Sequence, residues 1–396
     1  MTGTTAKAPL AGTPSLLRAI NDRAALELLL ANGPLSRTQI GTLTGLSKPT
    51  ASQLLARLEA AGLVVPVGTT AGGPGPNAQL YQVNPAAGYV AGMDVTPSGI
   101  RVAVADITGT TLAEHTEPTK GVPAAETVAT AAAATAKVVR AVGLPEGSLR
   151  AVAVGIGGAP DPVTGKLRYA SHLPGWHSPR LVEELTEAIG APVSIENDVN
   201  LAAVAEQAGG AAAGYEDFVL LWAGAGVGAA IVIAGRLYRG FTGVAGEVGY
   251  MPVPGSPVEW DARRRSHGGF QDMVGAFAVR ALAREHGLGA PTAEESIARA
   301  LETPGAGDAF LTELARRLAV GLAAIVTVLD PRLVVLSGAV PSAGGERLRA
   351  LVEDELARIS IARPPVRSSA LSGSPVLLGA LQRALADARE AVFSTH

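Results

Sequence analysis

The chain has no cysteine in 396 residues, which excludes disulfides, thiolate nucleophiles and cysteine-based zinc sites together. Aromatic residues make up only 4% while hydrophobic residues reach 47%, so the cores have to be built from Ala, Val, Leu and Ile. Charged residues are scarce at 17%, and low charge with high hydrophobicity excludes a disordered chain. Residues Met1 to Leu10 lack a charged segment followed by an apolar run, so no secretory signal is expected. Phe218 to Gly235 is uncharged and long enough to raise the question of a membrane span, but Gly224, Gly226, Gly228 and Gly235 interrupt it. Strand, tight turn, strand is the better reading, and a cytoplasmic location is expected.

What is present near the start is a pattern of caps and apolar spacing. Ser36 with Gln39 three residues on makes a capping box for a short helix through Ile40 and Leu43, which Gly45 ends. Ser47 caps a second helix with Pro49 in its first turn, and Leu54, Leu55, Leu58 and Ala61 recur at helical spacing. Lys48, Thr50, Ala51, Ser52, Gln53 and, one turn later, Arg57 are left on the outer face, short polar groups suited to base edges and phosphates. Leu16, Leu17, Ile20, Ala24 and Leu28 give a preceding helix that can pack across the pair. Leu63–Val65 and Leu80–Val83 bracket Gly72–Asn77 as a two-stranded wing with a Gly/Pro tip. The whole reads as a winged helix-turn-helix over residues 1–84, with Arg37, Ser47, Lys48, Thr50, Ser52, Gln53 and Arg57 as DNA-binding candidates. The blander alternative is a small helical adaptor or dimerisation module.

Charge supports the DNA reading. Residues 1–84 hold six Lys/Arg against three acids, while the whole chain is at −3, so a basic head sits on a body of net −6. Cations are absent between Arg57 and Arg101. The wing then relies on backbone N–H groups, Thr69, Thr70, Asn77 or Gln79, and contributes little to salt dependence.

From residue 85 onward, apolar strands alternate with helices, the sign of an α/β body. Tyr89–Val95, Ile100–Ile107, Ala151–Ile156, Pro192–Ile195, Phe218–Leu221, Gly228–Ile233 and Leu333–Leu336 read as strands, with Thr127–Val142 and Phe310–Leu329 as helices. Strand, Gly-rich turn, strand occurs near residue 94 and again near 224, a hint of two related lobes. Asp198, directly after a strand, and Glu247, in a Gly-rich loop, are carboxylates placed to bind a polyhydroxylated ligand, whose hydroxyls both donate and accept. Taken singly, each is more often a loop cap or surface charge.

These segments carry a resemblance. Gly155–Gly165, Leu173-Pro-Gly-Trp176, Ile195-Glu-Asn-Asp-Val-Asn200, Ala223–Gly228, Gly235-Arg-Leu-Tyr-Arg-Gly240, Ala245-Gly-Glu-Val-Gly249 and Asp330-Pro331 resemble the ROK family of repressors, open reading frames and kinases over residues 85–396. The resemblance implies a two-lobed actin-like, ribonuclease-H-like sugar-kinase fold, with a cleft formed between about residues 195 and 250. It also implies sugar contacts from Gly158, Asn197, Asp198, Glu247, Tyr250 and Asp272, and matches Asp198 to the general base of the kinases. With the winged helix in front, the chain is similar to the sugar-responsive repressor branch.

The departures from the family bear on catalysis. Where the kinases have Asp-x-Gly-Gly-Thr, this chain has Asp94-Val95-Thr96-Pro97-Ser98, which removes one N–H and fills space that phosphate needs. Gly-Thr-Gly becomes Gly224-Ala225-Gly226, and a late Gly-Gly becomes Ser337-Gly338. The family's zinc-holding His is Tyr250 here, its three Cys are gone, and Trp260, Arg263, Arg264, Arg265, His267 and Phe270 occupy the region. His267 alone is no zinc site, and His115, His172, His177, His286 and His396 are scattered.

The expected function is a sugar-responsive transcriptional repressor, not an enzyme, without cofactor or metal. Its partners would be operator DNA and a sugar, and it would act as a homodimer or dimer of dimers with heads about 34 Å apart. Sugar would close the lobes and lower DNA affinity. An active sugar kinase with an appended head, motivated by Asp198, is the alternative. A body turned into a protein-interaction module is the third possibility.

Overall fold

The computed structural model describes residues 14–69, 78–161, 164, 167–168, 170, 173–256 and 269–393. The chain begins with α1 (Pro14–Asn32), β1 (Leu35–Ser36), α2 (Arg37–Thr44), α3 (Lys48–Ala60), β2 (Val64–Thr69) and β3 (Gln79–Val83). The caps fall where the local chemistry requires. Ser36 and Gln39 form the reciprocal capping box of α2, and Gly45 closes that helix in the left-handed region at φ 71°. Ser47 Oγ accepts from the Thr50 N–H at the start of α3. The wing pairs as β2 with β3, and β1 adds a third short strand on the other side of β3.

The face of α1 differs from expectation. Asp22, Ala25, Leu26 and Leu29 are its buried residues, while Leu16, Leu17 and Ile20 are about half exposed. A stripe that begins with a carboxylate is not recognisable by apolar spacing, which explains the difference. Ala51 is also buried, against α2 beside Gly41, and Leu43 and Ala61 face outward.

Two five-stranded sheets follow. The first is built from β4 (Tyr89–Thr96), β5 (Gly99–Asp106), β6 (Thr111–Pro118), β7 (Leu149–Ile156) and β10 (Val193–Asn197), with a small β8 (Ala159–Pro160) and β9 (Leu167–Arg168) hairpin. Helices α4 (Thr127–Ala141) and α5 (Leu181–Ile189) lie between these strands in sequence, and α6 (Asp198–Gly209) follows β10 directly. The second sheet is built from β11 (Phe218–Ala223), β12 (Val227–Ile233), β13 (Arg236–Leu237), β14 (Val334–Ser337) and β15 (Val366–Ser368). With it come α7 (Gln271–Val274), α8 (Ala276–Glu285), α9 (Ala293–Glu302), α10 (Ala306–Leu329) and α11 (Ala339–Ile359), before α12 (Pro375–Phe393) ends the described chain.

The strand orders β10-β7-β4-β5-β6 and β15-β14-β11-β12-β13 are the same pattern used twice. In each, an antiparallel meander supplies three strands and two parallel strands are added on the other edge. The two related lobes are thus real, and Phe218–Gly235 is the β11–β12 hairpin with its turn. Among the described residues no helix is long and apolar enough to cross a membrane.

Helix α12 does not stay with the second sheet. It returns to the first, packing on β4, β7 and α6. That contact is close enough to exclude side chains: a Cβ on Gly92 would lie 2.8 Å from the Leu381 nitrogen, and one on Gly379 would overlap the Leu201 carbonyl. Gly379→Ala is therefore expected to destabilise the protein by about 1–3 kcal/mol. Gly209→Ala, with open space around it, serves as the neutral control in the same chemical denaturation.

Candidate functional site

The outer face of α3 is set by its first turn. Lys48, Thr50 and Gln53 are exposed there, and Ser52 turns its hydroxyl back to the Lys48 carbonyl at 2.8 Å. Ser47 and Thr50 share a hydroxyl contact of 2.8 Å. Arg37 leans on the sheet, its Nη2 donating to the Tyr81 hydroxyl at 3.4 Å. Arg57 is employed differently from the sequence expectation: its Nη2 meets Asp22 Oδ1 of α1 at 2.6 Å. That carboxylate is only 8% exposed, so Arg57 neutralises a charge that the packing of α1 has buried. The wing tip at Gly72–Asn77, together with Thr70, lies outside the described residues.

The second candidate region is the β10–α6 junction with the loop that precedes residue 248. Strand β10 ends at Asn197 and α6 begins at Asp198, so one strand-to-helix junction presents both groups. Asn197 caps α6, its Oδ1 accepting from the Asn200 N–H at 3.1 Å, while its Nδ2 donates to the Gly158 carbonyl at 2.9 Å. Gly158 sits at φ +111° with the Arg168 carbonyl 2.5 Å from any Cβ it could carry, so only glycine fits this turn. Two sequence candidates are thereby locked to each other.

Asp198 is half-buried and accepts from the Val199 N–H at 2.8 Å. Burial raises its carboxyl to about 6, and the charge of Asp94 adds to the rise. Glu247 is raised to about 7, again by burial first and then by Asp198. Asp94 is also held above the ordinary carboxylate range by burial, opposed by a hydrogen bond from Ser374 Oγ at 2.8 Å. Three carboxylates from β4, the β10–α6 junction and the loop before residue 248 thus feel one another. Near neutral pH Asp198 is mostly ionised and accepts hydrogen bonds, whereas Glu247 is near its midpoint and can donate or accept.

Tyr250 is on the 3₁₀ turn Val248–Tyr250 that follows Glu247, and Asp272 is on α7, which packs against that turn. Trp260, Arg263, Arg264, Arg265 and His267 lie outside the described residues. Among the described residues no three His, Cys, Asp or Glu side chains cluster to hold a metal. With no thiolate in the chain and Tyr250 at the expected His position, the donor set does not fit zinc.

The sequence reading missed the groups that hold the junction in place. Glu196 Oε1 accepts from the Asn197 N–H at 3.0 Å and from Asn200 Nδ2 at 2.9 Å, and Glu196 Oε2 pairs with Arg239 at 2.6 Å. Arg239 follows β13 of the second sheet, so this buried carboxylate is neutralised from the opposite lobe. The only signal was Arg239 within the Gly235–Gly240 motif, which names no partner. Ser374, 280 residues from Asp94, gave no signal at all.

The turns near the cleft are already occupied by the chain itself. Pro97 and Ser98 make the two-residue β4–β5 turn, and Thr96 Oγ1 is bound to the Gly99 carbonyl at 3.0 Å and to Ser98 Oγ at 3.1 Å. At the β11–β12 turn, Gln271 bonds the Val227 N–H and the Ala225 carbonyl at 2.8 and 3.0 Å.

Residues 90–386 match the ROK family. The chain belongs to the ROK family. Residues 21–72 match the MarR family, whose match falls on the winged helix. The ROK protein is 25% identical over 392 residues to a xylose repressor of Caldicellulosiruptor bescii, covering 95% of this chain and 98% of that one. A solved ROK transcriptional regulator, described as a homologue of the E. coli MLC protein, covers 96% of this chain and 100% of its own with a TM-score of 0.77 at 19% identity. That likeness shows the fold. A ROK glucokinase from Streptomyces griseus, solved with glucose and AMPPNP, covers 75% of this chain and 99% of its own with a TM-score of 0.62 at 27% identity.

Two expected outcomes follow from these groups. Arg57→Ala leaves Asp22 buried and unpaired, so it should lower stability by about 1–3 kcal/mol, and Asp22→Asn in the same chain should recover most of that loss in denaturant melts. Asp198 and Glu247 have raised folded pKa values, so the stability they lend is full below the unfolded value near 4 and is lost as pH rises through about 6 and 7. Asp198→Asn and Glu247→Gln should melt above the parent at pH 8, with the gap narrowing toward pH 5.

Proposed function

We propose that this ROK protein is a sugar-responsive, DNA-binding repressor that is not an enzyme. The observation that carries the reading is a MarR-like winged helix and a ROK body in one chain, an arrangement shared along nearly its whole length with a xylose repressor. In this reading Lys48, Thr50, Ser52 and Gln53 meet the operator, with Arg37 and Ser47 at the edge of the contact. Arg57 acts by holding α3 against α1. Gly158, Asn197, Asp198 and Glu247, with Tyr250 and Asp272 beside them, receive the sugar between the lobes.

Loss of phosphoryl transfer is supported by the β4–β5 turn. Phosphate binding needs free backbone N–H groups and open space, but Pro97 has no N–H to give and Thr96 turns its hydroxyl inward. Asp198 is then a base without a bound phosphoryl donor. Sugar closure moves the Glu196–Arg239 contact, which joins the lobes, and changes how paired heads of a homodimer meet half-sites about 34 Å apart.

A second reading, an active sugar kinase, is favoured by one observation, the raised carboxyl of Asp198 at a strand-to-helix junction, in a chain 27% identical over 208 residues to a Thermotoga maritima glucokinase. Fluorescence anisotropy with the DNA upstream of the protein's own gene, with and without xylose or glucose, tests the first reading. Preference for that DNA over random duplex, altered by sugar and insensitive to that sugar in Asn197→Ala, is expected. Sugar-dependent ADP release that disappears in Asp198→Asn would establish the kinase instead.

A further inference from the structure

Helix α12 begins at the cleft and ends at the winged helix. Ser374 caps its first turn while donating to Asp94, and Arg23 of α1 meets Glu390 near its other end at 2.6 Å. Both contacts are made by one helix of 19 residues, about 28 Å long at 1.5 Å per residue. Beside the Arg23–Glu390 pair lies a groove of about 630 Å³ that belongs to neither the cleft nor the face of α3. Arg23 and Leu30 of α1 form one wall, Leu385, Arg389 and Phe393 of α12 form the other, and the Thr108–Gly109 turn of the first sheet closes it. This volume is in the range that small metabolites occupy.

The chemistry of the lining is uneven. Leu385 and Phe393 give an apolar floor, whereas Arg389 brings a half-buried cation that has no carboxylate within ion-pair distance among the described residues. Its Nε and Nη2 donate to the carbonyls of Ile107 and Thr108, each at 3.0 Å, so three of the five guanidinium N–H groups have no protein acceptor among the described residues. Burial lowers its pKa, and only the more distant Asp106 opposes that. Glu27 and Glu390 also line the groove, but both are engaged by Arg23, so Arg389, beside Leu385 and Phe393, is the group that selects an anion with a hydrocarbon part.

We propose that this groove is a second ligand site, taking a small organic anion whose carboxylate or phosphate rests on Arg389 and whose carbon skeleton lies on Leu30, Leu385 and Phe393. Arg23 is the second donor on the rim. Its partners Glu27 and Glu390 are 59% and 63% exposed, and exposed pairs of this kind contribute little, so an incoming anion displaces them easily. Because one wall belongs to the winged helix and the other to the body, a ligand bridging them shifts the balance between their relative positions. The site thus gives the protein a metabolite input separate from the sugar.

The test uses the full chain, with citrate and inorganic phosphate as probes in titration calorimetry and thermal melts at constant ionic strength. Saturable binding of either probe is expected, with citrate alone indicating a carboxylate ligand and phosphate alone a phosphorylated one. Binding should persist in Asp198→Asn, which separates it from the cleft and from the outcome of the sugar experiments. Arg389→Gln should weaken it about tenfold or more. Ala386→Trp, placed at an exposed position on the groove wall, should abolish it without touching the Arg389 hydrogen bonds, and it decides the matter if the Arg389 variant does not fold. No saturable binding of either probe, or binding unchanged in Ala386→Trp, overturns the proposal.

Discussion

The architecture depends on the return of the last helix to the first sheet. Without α12, the apolar faces of β4, β7 and α6 would lie open, and Leu377, Leu381, Ala384 and Ala388 would have nowhere to be buried. Glycines at 92 and 379 bring backbones into contact, and Gly155 makes room for the Val376 and Leu201 side chains, which leaves α12 little freedom to slide. Such an interface is more apt to move as a unit than to deform, because close-packed elements resist continuous distortion. The helix therefore ties two places together: Asp94 at the cleft through Ser374, and α1 of the winged helix through Glu390. Any closure of the lobes that displaces the first sheet acts on a body to which the winged helix is already fastened.

The cleft itself is arranged against its own stability. Asp94, Asp198 and Glu247 are all raised by burial, and mutual repulsion adds to the rise in Asp198 and Glu247. A structural carboxylate would be paired, as Glu196 is with Arg239 and Asp22 is with Arg57. The contrast separates two uses of acid in one chain. Paired acids hold elements together, while carboxylates without an ion-pair partner retain hydrogen-bonding capacity, as groups at binding sites do.

What could be read from the sequence was local chemistry. Ser36 with Gln39, Ser47 ahead of Pro49, and the strand that runs into Asn197-Asp198 are all recognisable because the partners lie within a few residues of each other. The paired lobes were visible for the same reason, each marked by a strand, turn, strand unit. The buried face of α1 was not, because Asp22 stands at its head and breaks the apolar stripe, leaving the partly exposed Leu16, Leu17 and Ile20 as the more obvious set. The ion pair of Arg57 was hidden for the same cause: its partner is 35 residues away and carries a charge that spacing alone assigns to solvent. Arg239 and Ser374 show the limit more sharply, since each completes a site whose other half lies on a distant element.

The same distinction bears on repressor and kinase. A kinase site requires the base, the sugar groups and the phosphate loops at once, whereas a sugar sensor requires only the first lobe's junction and the carboxylates that face it. Residues proposed for sugar are embedded in shared hydrogen bonds: Asn197 caps α6, holds Gly158 and is itself held through its N–H by Glu196, which pairs with Arg239. Changing them disturbs the fold as well as the ligand. Pro97 and Ser98 form an exposed two-residue turn, with Thr96 Oγ1 bonded back onto it and the Ser98 carbonyl accepting from the Thr119 N–H, so a change in its shape disturbs little beyond that one outside bond. A chain released from phosphoryl transfer would lose that turn first and keep Asp198 longest, because Asp198 begins a helix as well as facing the cleft. An intact carboxylate beside a turn closed by proline can persist for structural reasons alone, so Asp198 by itself is weak evidence for catalysis.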